Sequence, residues 1–203
     1  MRSKEQAIFE EVIFNYNPKF AIGTALRQCA QEDPSDFNVT RLVEKTINHC
    51  CGLVVESDEH HDAVSATGIK FEHKTASVLI KPAHNSKNSY PCKITNCMSG
   101  SGVAKTGHLC VVMYNPHYNN GDIDYFFIPS EKVEGLVTVE VGKPSAIKGT
   151  WNRQSFYTDK LGRYQVDSFE ELIDKIHLAS SGGTHTYETL FPKTSVSFDA
   201  FFA

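Results

Sequence analysis

No acidic residue occurs between Thr75 and Gly121, a stretch that holds Lys81, Lys87, Lys93 and Lys105 together with His84, His108 and His117. A second stretch carries Lys143, Lys148, Arg153, Lys160 and Arg163 against one acid, Asp159. The first 62 residues hold the opposite imbalance, 11 acids against six Lys and Arg. The net charge of -4 argues against a bulk polyanion binder. Its segregation, however, suits a protein that grips nucleic acid at one local surface without adhering to everything.

Paired C-x-x-C spacing is also absent. The six cysteines are Cys29, Cys50, Cys51, Cys92, Cys97 and Cys110, and Cys92 and Cys97 have four residues between them and no matching pair. His49, Cys50, Cys51, His60 and His61 are ligand types without the framework of a closed structural zinc site, so none is expected. No apolar run is long enough for a signal peptide or a membrane span, which predicts a cytoplasmic chain with reduced thiols and no membrane partner. With 203 residues and 40% hydrophobic content, the chain can bury one core, and a single domain over 1–203 is expected.

Ser3 and Gln6 make a capping-box pattern that predicts a first helix through about Phe14. Pro18 opens a second through about Cys29, and Asn38 caps a third in which Val39, Leu42, Val43 and Ile47 line one side up to about Cys50. These give an N-terminal helical layer over residues 1–50. Gly52 to Val55 has the length and branching of a buried strand, and Asp62 to Ser65 of a second. After a turn at Gly68, Ile69, Phe71 and His73 alternate with Lys70, Glu72 and Lys74. Regular periodicity then disappears from Pro82 to Gly107, a polar segment long enough to expect a functional role. His108 to Tyr114 and Asp124 to Ile128 read as strands joined by a turn at Asn119-Asn120-Gly121, and Leu136 to Val141 as an edge strand. Ser168 and Glu171 make another capping box, opening a helix through roughly Leu178.

The chemistry concentrates between His61 and Ser77. Asp62 stands ten residues before Glu72, which stands two before Lys74. Period two puts Glu72 and Lys74 on one face of a strand, with His73 turned away toward a core or interface, and a hairpin brings Asp62 beside Glu72. Two carboxylates and a lysine suit a magnesium-dependent phosphodiesterase. Asp62, Glu72 and the backbone carbonyl of His73 supply the oxygen donors that Mg2+ prefers, and Lys74 orients or helps deprotonate the attacking water. Glu10, Glu11 and Glu44 lie on helices that can approach the same place, and His60 and His61 adjoin Asp62.

The string Asp62-Ala63-Val64 followed by Glu72-His73-Lys74-Thr75 resembles the D-x(9)-E-x-K signature of the PD-(D/E)xK nucleases, in particular the PvuII-like type II restriction endonucleases. His61 stands where the family name promises a proline, as PvuII-like members also lack it. The resemblance covers the hairpin closely, the following strand pair loosely, and says little of residues 1–50 and 143–203. It implies an α/β (α+β) fold with a mixed, restriction-endonuclease-like sheet flanked by helices, with catalysis over 52–141 and a C-terminal region over 142–203. It further implies a homodimer on double-stranded DNA, each subunit cutting one strand, with Mg2+ as cofactor and a cognate DNA methyltransferase in the same restriction system. Lys81, His84, Asn85, Ser86, Lys87, Asn88, Lys93 and Lys105 are the expected DNA contacts, and Lys143, Lys148, Arg153, Lys160 and Arg163 are expected to touch phosphates. A junction-resolving or phage-type nuclease, or a DNA-binding α/β protein without catalysis, is the rival expectation.

Overall fold

A computed structural model describes residues 39–56, 60–83, 87–98, 107–117, 122–153, 156–157, 160–182 and 186–191. The two helices expected before residue 30, the Asn38 cap and the Asn119-Asn120-Gly121 turn lie outside them. In chain order the elements are α1 (Val39–Cys51), β1 (Val54–Val55), β2 (Ala63–Val64), β3 (Lys70–Ser77), β4 (Ser89–Thr95), β5 (His108–Asn115) and β6 (Asp122–Ile128). There follow α2 (Ser130–Leu136), β7 (Val137–Thr138), β8 (Ala146–Asn152), β9 (Phe156–Tyr157), a 3-10 turn at Gly162–Tyr164, β10 (Gln165–Val166), α3 (Phe169–Ser180) and α4 (Tyr187–Leu190). Among the described residues no helix is long and apolar enough to cross a membrane.

The fold is mixed α and β. Six strands form one sheet in the order β1-β2-β3-β5-β6-β10, in which β3 and β5 run parallel and every other neighbouring pair is antiparallel. A second sheet has the order β4-β8-β7, with β9 added on β8. The parallel pair demands a crossover, since parallel strands cannot be joined by a tight turn. Among the described residues of the crossover, β4 is the regular element, and it belongs to the second sheet.

Each face of the large sheet carries its own core. Val43 and Ile47 of α1 and Phe169, Leu172 and Ile176 of α3 pack with Phe71, Cys110, Val112, Tyr125 and Phe127. The alternate residues Leu109, Val111, Met113, Phe126 and Ile128 pack against Tyr90, Cys92, Ile94, Ile147 and Trp151 of the second sheet. Both faces of β5 are therefore covered, which is why His108 to Met113 reads as an unbroken buried run. Full burial of each large apolar side chain is worth about 1.5–3 kcal/mol.

Three sequence-based expectations need revision. The segment from Pro82 to Gly107 does contain a period-two strand, β4, whose Tyr90, Cys92 and Ile94 are buried while Lys93 and Thr95 are exposed. Leu136 ends a helix, and the strand after it is only Val137–Thr138, attached to the second sheet. Finally, Val54 and Val55 are exposed although Leu53 is buried, because β1 is a two-residue edge strand over which the described residues lay no further layer.

Candidate active site

The β2–β3 hairpin is fixed at its closed end by small polar side chains. Gly68 takes φ 83, a conformation that only glycine adopts cheaply, and its N–H donates to the Ser65 carbonyl at 2.9 Å. Thr67 Oγ1 donates to the Ser180 carbonyl at the end of α3, at 2.7 Å. Having spent its one proton, it accepts from Ser65 Oγ at 2.9 Å. The hairpin tip is thus tied to α3.

The open end carries the candidate chemistry. Asp62 donates its N–H to the Phe71 carbonyl at 2.9 Å, and its Oδ2 accepts from the His73 N–H at 2.8 Å. That amide belongs to the peptide joining Glu72 to His73, so the aspartate sits one peptide away from the glutamate. Lys74 Nζ donates to Glu72 Oε1 in a tight ion pair whose carboxylate is 1% exposed and whose ammonium-bearing side chain is 17% exposed. Glu72 stands in register with Leu109 and Lys74 with Val111, which places both on the face toward the second sheet.

His73 turns to the opposite face. It is 1% exposed, and its Nε2 lies 2.8 Å from Asn48 Oδ1 on α1. Loss of solvation pushes its pKa down to about 4, an effect that Asp62 opposes and Lys74 reinforces. The ring is therefore neutral near pH 7. Because the amide oxygen only accepts, Nε2 carries the proton and Nδ1 is bare. A strand residue sends N–H and C=O to the same edge, so the His73 carbonyl leaves β3 on the side of β2, as its N–H does toward Asp62.

Two supporting residues escaped the sequence reading. Gly107 runs so close to β3 that an added Cβ would meet Phe71 C at 2.8 Å and Glu72 N at 2.9 Å. A glycine just before a buried strand was the available signal. Asn48 was the other, a polar residue among the buried positions of α1, next to Ile47. His61 is buried as well, with Nε2 3.6 Å from Glu56 Oε2.

Of the expected DNA contacts, Lys81, Lys87, Asn88 and Lys93 are exposed, whereas His84, Asn85, Ser86 and Lys105 lie outside the described residues. Lys93 stands directly across from Lys148 on the exposed face of the β4–β8 ladder. Lys143 and Lys148 both donate to Glu140, the former at 2.7 Å, and these bonds hold the Glu140 carboxyl down at about 2. Trp151 and Tyr157 belong to the core.

The donor set fits a magnesium ion. Among the described residues no three His, Cys, Asp or Glu side chains cluster as a metal cage. Magnesium does not require one, since it is commonly held by one or two carboxylates and completes its octahedron with waters. Asp62, Glu72 and the His73 carbonyl are oxygen donors at one end of one hairpin. No protein-family model matches the chain, and no curated protein matches its sequence.

Proposed function

We propose that the chain is a magnesium-dependent endodeoxyribonuclease that cuts double-stranded DNA at a specific sequence, as a type II restriction endonuclease does. The observation that carries this reading is the buried Glu72–Lys74 ion pair with the Asp62 carboxylate bonded to the peptide next to Glu72. A bound Mg2+ would lower the pKa of a water and offset charge on the scissile phosphate. Asp62, Glu72 and the His73 carbonyl would hold the ion. Lys74 orients the water and stabilises the phosphate oxygens. The water oxygen would form the new bond to phosphorus as one P–O ester bond breaks, the water's proton passing to solvent and the leaving ester oxygen taking one up from a second water.

The basic face of the second sheet supports DNA as substrate, with Lys93 exposed on β4 and Lys87 and Asn88 just before it. Two copies of the chain on a two-fold axis bring one hairpin to each strand of the duplex. A cytoplasmic location and a cognate methyltransferase that protects the host's own sites belong to the same reading.

Digestion of a sequenced plasmid with Mg2+, followed by run-off sequencing of the ends, tests it. Discrete fragments with one shared end sequence are expected, and EDTA abolishes them. Preference for branched DNA would move the chain to the structure-selective nucleases. Binding without cutting would leave a non-catalytic DNA-binding protein.

A further inference from the structure

Asn48 sits where α1 closes. The Leu53 N–H donates to the Asn48 carbonyl at 2.9 Å and the Gly52 N–H to the His49 carbonyl at 3.4 Å, with Gly52 at φ 63. This is the six-to-one and five-to-two bonding of a Schellman motif, which fixes the last turn of a helix. The backbone of Asn48 is therefore set by its own helix end, and its side chain reaches from that fixed point across to β3.

The reach is costly. Asparagine is among the weaker helix formers, and Asn48 is only 6% exposed beside an apolar cluster containing Val43, Ile47 and Phe71. His73 is buried more deeply still, and its Nδ1 has no hydrogen-bond partner among the described residues. Replacing both members of a buried neutral pair with apolar groups of similar shape is often close to neutral for stability. What such a pair supplies is direction. Here the direction is passed on, because the His73 backbone N–H holds Asp62 Oδ2 at 2.8 Å, and the His73 carbonyl leaves on the same edge.

We infer that Asn48 is a positioning residue for divalent-cation binding: through the His73 ring it sets the peptide groups that orient the Asp62 carboxylate and the third oxygen donor. The role rests on the metal-dependent reading given above. Asn48 touches neither metal nor DNA. It acts as the outer partners of metal ligands do, whose loss typically weakens metal affinity about 10–100-fold.

The test is Mn2+ affinity of the full chain without DNA, read by calorimetric titration or by the electron paramagnetic resonance of free Mn2+. The apolar double variant Asn48→Leu/His73→Phe is expected to melt cooperatively near the wild-type temperature yet bind Mn2+ at least about tenfold more weakly. His73→Gln, whose amide can still donate to Asn48, is expected to stay near wild type. A folded double variant with wild-type affinity overturns the inference alone. If the double variant does not fold, Asn48→Ser, which is too short to reach His73, carries the same comparison. Should the wild type bind no Mn2+, or Glu72→Ala bind it unchanged, the metal site itself falls, and this role with it.

Discussion

Lys74 and Glu72 are ion-paired on one face of β3, with the carboxylate buried and the lysine at the rim. Breaking a buried pair by removing one member costs roughly 3–5 kcal/mol, because a charge is stranded, whereas removing both costs much less. Lys74→Met should therefore destabilise the fold by about 3 kcal/mol in urea denaturation, and Glu72→Gln/Lys74→Met should recover most of it. Lys74→Met and Glu72→Gln, each alone, should also lose Mg2+-dependent cleavage while binding DNA in Ca2+. Strict additivity in the cycle would show that the pair is not coupled.

Asp62→Asn separates charge from hydrogen bonding. The amide oxygen can still accept from the His73 N–H, so stability should change by less than about 1 kcal/mol. Cleavage should fall at least about a hundredfold, since a neutral ligand stabilises the ion far less. Gel-based initial rates at fixed Mg2+ check this, and an unchanged rate removes Asp62 from the site.

The buried His73 should make the metal-free fold sensitive to acid. Its folded pKa, about 4, lies below the unfolded value of about 6.5, so the unfolded chain binds more protons between these values. Stability is then full above pH 6.5 and is lost as pH falls toward 4, by roughly 3 kcal/mol from this group. Urea midpoints in EDTA should follow that slope in the wild type and show a shallower one in His73→Gln. Parallel slopes would mean that His73 is not the titrating group.

Gly107→Ala places a methyl against backbone rather than against a flexible side chain. Overpacking of this kind costs about 1–3 kcal/mol, and here the strain falls on the peptide entering Glu72. Cleavage should drop more than the loss of folded protein explains, measured as rate per folded molecule. Alanine at wild-type activity would show that the Gly107 segment moves aside freely.

Lys93→Gln tests the surface. If Lys93 neutralises one phosphate, the variant's log-log salt dependence of DNA binding should be shallower by about one. Cleavage specificity should be unchanged, because phosphate contacts position without specifying. An unaltered slope takes Lys93 off the DNA.

The hairpin was legible in the sequence because its information is local: alternation from Ile69 to Lys74 assigns faces, and Gly68 marks the turn. So was α3, whose Ser168 Oγ accepts from the Glu171 N–H at 3.1 Å, as the capping-box pattern predicts. The second sheet was not. In β4 the buried Tyr90, Cys92 and Ile94 are separated by Pro91 and Lys93, and proline disguises a strand whose alternation is otherwise intact. In β8 the signal is thinner still, with Lys148 and Gly149 between Ile147 and Trp151. Asn48 could not be found at all from spacing. Its partner lies 25 residues away, and only the docking of α1 on β3 brings them together.

The parallel pairing of β3 with β5 has a consequence for the order of assembly. The hairpin can close as soon as Ser77 is made, but the other edge of β3 waits for His108 to Asn115 to arrive across the second sheet. Non-local pairing of this sort is entropically slow, so β3 passes through a period as an open edge with Glu72 unsupported by Leu109. On the proposed nuclease reading, competence for hydrolysis would thereby be tied to completion of the sheet, and a nascent or truncated chain would carry Asp62, Glu72 and Lys74 without a built site to hold them.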